Sequence, residues 1–120
     1  MAENDSRQRG LAVRRKLFGD LDAPNLDDPF MGMTIDHLFG DVWTRPGLEL
    51  RDRSLITCAT LVALGKELQL KVHLRGLLNQ GVSREAVEEM MLHLAHYAGW
   101  PCAVNGLRVA REVFKDLDGA

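Results

Sequence analysis

The sequence predicts an all-α fold, a single helical domain of about six helices, and three observations carry that expectation. The chain has 19 leucines and 11 alanines against two isoleucines, four threonines and one tyrosine. Leucine and alanine suit helices, and the scarce β-branched and aromatic residues are what strands need. Apolar residues recur at helical spacing through the last two thirds of the chain, and glycines, prolines and cap residues fall between the runs.

Each element can be justified in order. Residues 4–18 are charged but place Leu11, Arg14, Arg15 and Phe18 within reach of one another at helical spacing. Gly19 and residues 20–28, with Pro24, Asn25 and several aspartates, read as a connector. Asp28-Pro29 reads as an N-cap followed by proline at the first helical position. The helix it opens should run to about Phe39 or Val42, weakened by Gly32. Thr44-Arg45-Pro46-Gly47 is a turn. Residues 1–28 are thus an N-terminal helix and connector, and 29–120 the helical core of the same domain.

From Arg51 to Leu64 the chain is apolar nearly all round the helix axis, with Leu55, Ile56, Ala59, Val62 and Ala63 as the stripe. Such a helix is expected to be buried. Gly65 stops it. The next helix spans 67–80, with Leu70, Leu74 and Leu77 as its inner stripe and Gly81 beyond its end. Ser83 caps the fifth helix, Val82 and Val87 occupy staple positions, and Val87, Met91, Leu94 and Ala98 form its inner face up to Gly99. Pro101 opens the last helix, whose stripe is Ala103, Gly106, Leu107, Ala110, Val113, Phe114 and Leu117.

Composition excludes several classes of function. A formal net charge of −2 and a pI near 6.1 give no basic footprint for nucleic acid. No apolar run approaches the length of a membrane span, and the polar start MAENDSRQRG is no signal peptide. Two separated cysteines, Cys58 and Cys102, make neither a CxxC nor a zinc set, which suits a reduced, cytoplasmic protein. Both thiols are expected to be structural.

His73 is the most informative single residue. It follows Leu70 by three and precedes Leu77 by four, so it lies on the inner side of its helix. A half-desolvated histidine there can exchange a proton near neutral pH. The ordinary alternative is a core or interface histidine bonded to a carbonyl, and spacing alone leaves both open. Glu89, His93 and His96 share a face at spacing that suits a transition metal. That face is opposite the Val87/Met91/Leu94 stripe and has no second ligand cluster, so no metal is expected, and a solvated or subunit-facing side is the simpler account. Arg45, Arg51, Arg53 and Arg75 gather around the turn and the central helices. Arginine recognises carboxylates bidentately, although surface ion pairs are its commoner use.

Read together, several stretches resemble the carboxymuconolactone decarboxylase family. They are LAVRRKLFG (11–19), GDVWTRPGL (40–48), RSLIT (53–57), KVHLR (71–75) and NQGV (79–82), with Tyr97, Gly99 and Pro101. The resemblance covers nearly the whole chain and implies an all-α, AhpD-like fold. It also implies a homo-oligomer, a hexamer or trimer, and no cofactor. Where peroxidase relatives of that fold carry a CxxC pair, this chain has Lys66 and Gln69, so peroxidase activity is not expected. Departures stand at Ser54, at Ala98 where a cysteine is common, and at His96.

The activity implied is decarboxylation of 4-carboxymuconolactone, a lactone dicarboxylate, in the breakdown of aromatic compounds. The lactone takes up the electron pair left by CO₂. The protein must then hold two carboxylates, stabilise charge on an oxygen and allow protonation of a ring carbon. On the resemblance, His73 is the proton donor or oxyanion stabiliser and Tyr97 a second donor. Arg45 and Arg53 hold carboxylates, and Trp43 walls the site. Two other readings stand beside it: a decarboxylase or isomerase of the same fold acting on another activated carbonyl acid, and a non-catalytic helical oligomer that binds an acid or a partner.

Overall fold

In the computed structural model, which describes residues 2–19 and 21–119 with side chains from residue 5 onward, every regular element is helical. Asp20, within the expected connector, lies outside the described residues. The first helix, α1, spans Ala2–Phe18. Asp28 caps α2 (Pro29–Met33) by accepting the Met31 N–H, with Pro29 in the first turn as the sequence predicts. The expected continuation to Val42 is present in a different form. From Thr34 to Val42 the backbone is a π-helix, which ends with the Trp43 N–H donating to the Leu38 carbonyl at 3.0 Å.

The π-helix lies against α1 with almost no space between the backbones. A Cβ on Gly10 would collide with the carbonyl of Ile35, and one on Gly40 with the carbonyl of Ser6. Ion pairs flank this crossing. Arg7 grips Asp36 with two nitrogens at 2.9 and 3.0 Å, and Arg9 reaches Asp41 at 3.1 Å. Ile35, Phe39 and Trp43, spaced by four, turn inward with Leu17 to form one apolar cluster.

The remaining elements are α3 (Leu50–Leu64), α4 (Glu67–Asn79), α5 (Arg84–Ala95) and α6 (Trp100–Leu117). Gly65 and Gly81, both at positive φ, follow α3 and α4 where the sequence places stops. Ser83 caps α5 through the Ala86 N–H. The expected extension of α5 to Ala98 is not made. His96 and Tyr97 donate to carbonyls only three residues back, a tightened last turn that closes at Ala95. The second core joins Leu70, Leu74 and Leu77 of α4 to Val87 and Met91 of α5 and Val109, Ala110 and Val113 of α6.

The buried face of α3 differs from the expected stripe. Ser54, Cys58 and Val62 point inward, whereas Leu55 and Ile56 are 41 and 52% exposed. A helix apolar all round can bury only the side that has neighbours, and in one chain those are chiefly α4 and α6. Asn79 ties the two cores together: its Nδ2 donates to the Leu17 carbonyl at 2.7 Å, docking the end of α4 on the end of α1.

Candidate functional site

The two cores meet at His73. Its helix, α4, buries Leu70, Leu74 and Leu77 and so presents His73 half-buried toward α1 and the π-helix. The Phe18 ring, from the last residue of α1, meets the imidazole edge-on at 5.2 Å. Trp43, at the end of the π-helix, stacks on it at 6.0 Å with the planes 22° apart. Phe39 packs against both Phe18 and Trp43, at 6.2 and 5.5 Å. Gly76 admits Phe18, because a Cβ there would already stand 3.0 Å from the ring.

This setting decides the state of the imidazole. Burial disfavours its charged form and lowers the His73 pKa below the ordinary histidine value. At pH 7 it is therefore neutral, with one nitrogen a donor and the other an acceptor. Among the described residues no group hydrogen-bonds to it. Within the chain, no described carbonyl supplies the bond that a core histidine would make.

Arg53, in the first turns of α3, donates from a terminal nitrogen to the Arg45 carbonyl at 2.9 Å. That bond fastens α3 to the turn that follows Trp43. Its Nε is buried with no hydrogen-bond partner among the described residues. A buried guanidinium N–H left unpaired is costly, and it is a donor awaiting an acceptor. The neighbouring Ser54 Oγ is likewise buried and unpartnered. The Arg45 side chain is exposed and engages no described residue.

The structure thus brings together Trp43 and His73 by ring contact, and Arg45 and Arg53 by a hydrogen bond. It does not bring Tyr97 to them. Tyr97 follows the end of α5, is 80% exposed, and stacks on His93 at 4.9 Å. His93 in turn lines an open apolar groove of about 740 Å³ between α3 and α5, with Arg51, Leu55, Met90 and Leu94. His96 is held by the Leu92 carbonyl at 2.9 Å, and no group of three ligating side chains among the described residues is arranged to hold a metal ion. Arg75 lies near Asp116, at 3.8 Å. Cys58 is buried, which pushes its thiol up to about 12, and Cys102 is free.

Sequence reasoning did not single out Phe18 and Phe39 as site residues. The four-residue spacing of Ile35, Phe39 and Trp43 was the available signal for Phe39. Nothing local marked Phe18, which reaches the site only because α1 docks on α4.

Fold and site together define a small all-α protein built around a neutral histidine, with an unpaired arginine donor on an adjoining element. Comparison with known proteins names the family. The carboxymuconolactone decarboxylase family profile matches residues 28–112, and the chain belongs to that family. It is 39% identical over 124 residues to a 4-carboxymuconolactone decarboxylase of Acinetobacter baylyi, covering 98% of this chain and 92% of the relative. It is 30% identical over 128 residues to a nitrosuccinic acid decarboxylase of Metarhizium robertsii, covering 97% and 90%.

Proposed function

We propose that the protein is a carboxy-lyase that converts 4-carboxymuconolactone to 3-oxoadipate enol-lactone without a cofactor, in the catabolism of protocatechuate. The observation that carries this reading is the neutral, unbonded imidazole of His73 held between Phe18 and Trp43.

The reacting carbon bears the lactone oxygen, the scissile carboxylate and a CH₂COO⁻ arm. When its bond to the carboxylate breaks, CO₂ leaves. The electron pair passes through the ring alkene to the lactone carbonyl oxygen, giving a dienolate. Protonation of a ring carbon then completes the reaction. A neutral imidazole is a weak acid, so its best use is to donate its N–H to the developing oxyanion, where a preorganised donor in a dry site is worth most. Arg53 offers its free Nε to a carboxylate, and Arg45 its unengaged guanidinium to the other. Trp43 excludes water from one face. Tyr97 stands apart from His73 within the chain, so a part for it requires a neighbouring copy in the homo-oligomer that this reading includes.

The second relative favours a specific alternative. Nitrosuccinate also carries a scissile carboxylate and a CH₂COO⁻ arm on one carbon, and its nitro oxygens take up the electron pair. The same histidine and arginines suit both acids, so the substrate is fixed by the shape of the electron sink.

Turnover of the two acids, followed side by side with EDTA present, tests the reading. Loss of lactone ultraviolet absorbance, strongly slowed by His73→Ala, is the expected result. Turnover of nitrosuccinate alone would select the alternative. Wild-type kcat/KM in His73→Ala would remove the central assignment.

A further inference from the structure

Arg9 lies on α1, upstream of the residues 28–112 that the family profile matches. It is far from His73 in sequence and half-exposed. Its contacts fall on the end of the π-helix, at the residues that lead into Trp43. Nε donates to the Gly40 carbonyl at 3.1 Å, and a terminal nitrogen donates to Asp41 and to the Ser6 hydroxyl, each at 3.1 Å.

The Gly40 carbonyl belongs to the last turn of that helix. The N–H five residues on, which a continuing π-helix would supply, is that of Arg45, and it donates instead to Val42 at 3.1 Å. The carbonyls of a last helical turn lose their backbone partners and must be held by other groups. Here two side chains do so: Arg9 and, at 2.6 Å, the Thr44 hydroxyl. Both fix one peptide plane, that of Gly40 and Asp41, in the turn that leads into Trp43. That indole is the wall stacked on His73.

We infer that Arg9 is a positioning residue that holds Trp43 over His73 by fixing the last turn of the π-helix. Its role is not chiefly stability, since exposed ion pairs contribute little. Gly10 and Gly40 set how closely α1 and the π-helix approach, and Arg9 sets how the π-helix ends. The inference rests on the His73 reading only for its effect on turnover; the placement of Trp43 can be read without any substrate.

The test uses the full chain with Trp100→Phe, which leaves Trp43 as the sole tryptophan and touches nothing in the His73 site. A protonated imidazole stacked on an indole quenches its fluorescence, so acid quenching of Trp43 reports the stack. His37 also stands on the π-helix, 3.6 Å from Asp41, so His73→Asn must remove the quench before it is assigned. Arg9→Ala is expected to lose at least half of the quench amplitude and about fivefold in kcat/KM on whichever acid is turned over. Arg9→Lys, which can supply only one nitrogen, should fall between. A full quench in Arg9→Ala overturns the inference, even if the melting temperature drops, because Arg9 would then be a clamp and nothing more. If Arg9→Ala does not fold, a full quench in Arg9→Lys overturns it equally. A lost quench in a chain that turns over neither acid upholds the placement of Trp43 and removes the His73 reading instead.

Discussion

A histidine whose pKa is lowered by burial affects activity and stability in the same direction of pH. The neutral form is favoured in the folded chain, so below the ordinary value of 6.5 the unfolded chain takes up a proton first. Stability contributed at His73 is complete above 6.5 and is lost as pH falls through the folded value. If the neutral N–H is the oxyanion donor, kcat/KM is level above the folded value and falls as pH drops through it and below. We expect a single acid limb in the kcat/KM profile, lying below 6.5, and a loss of about 10²–10³-fold for His73→Ala at neutral pH. Activity that rises as pH falls below 6.5 would mean that the charged imidazole is the working form. Arg53 gives a second prediction. Arg53→Lys keeps the charge but loses the Nε donor and the fork, so KM should rise about tenfold with a smaller change in kcat, a difference of about 1.4 kcal/mol. Unchanged KM would place the carboxylate elsewhere. These residues were legible to different degrees. Helical spacing put His73 on the inner face, but its lack of a carbonyl partner is a tertiary fact. The unpaired Nε of Arg53 is a fact of the same kind, since it depends on how α3 meets the turn after Trp43.

Among the elements, those whose limits are set locally were the legible ones. Asp28 and Ser83 cap their helices, and Gly65 and Gly81 end theirs, through bonds and φ values that need only nearby residues. The π-helix was not legible, because its close packing against α1 is a tertiary contact. Gly10 and Gly40 let the two backbones touch, and a sequence pattern does not say which glycines are contact points. The contrast makes a prediction. In Gly40→Ala the new methyl meets the backbone of Ser6, which cannot swing aside as a side chain can, so the variant should lose about 1–3 kcal/mol by urea unfolding. Gly47→Ala, with nothing within 4 Å, should fall within about 0.5 kcal/mol of wild type. Equal stability of the two variants would mean that the α1 crossing is loose. The misread face of α3 has a related cause. Its composition is apolar on every side, and only the arrangement of α4, α5 and α6 decides which side is covered.

At the scale of the whole molecule, one chain leaves a broad apolar surface uncovered. Leu55 and Ile56 on α3, Leu64 at its end and Leu68 at the start of α4 are all more than two-fifths exposed, and Tyr97 and Trp100 add an aromatic patch. The α3–α5 groove runs beside Leu55 and carries Arg51 together with Asp52 and Glu89, so both signs of charge flank one apolar floor. Contact between copies of one chain requires a self-complementary surface, and both signs of charge beside an apolar floor are what such a surface uses. Burying a fully exposed leucine stabilises by about 1.5–3 kcal/mol, and Leu55, already partly covered, contributes only a share of that. The homo-oligomer in the proposed function therefore makes α3 its natural contact. Sedimentation of the wild-type chain should give a mass that is a multiple of 13.4 kDa. Leu55→Asp should shift the population toward the single chain, while Phe30→Asp, an exposed apolar site on α2 outside the α3–α5 groove, should not. A wild-type chain that sediments as a monomer would remove the oligomer and any part for Tyr97 with it. An oligomer indifferent to Leu55→Asp would keep the assembly and move its contact away from α3.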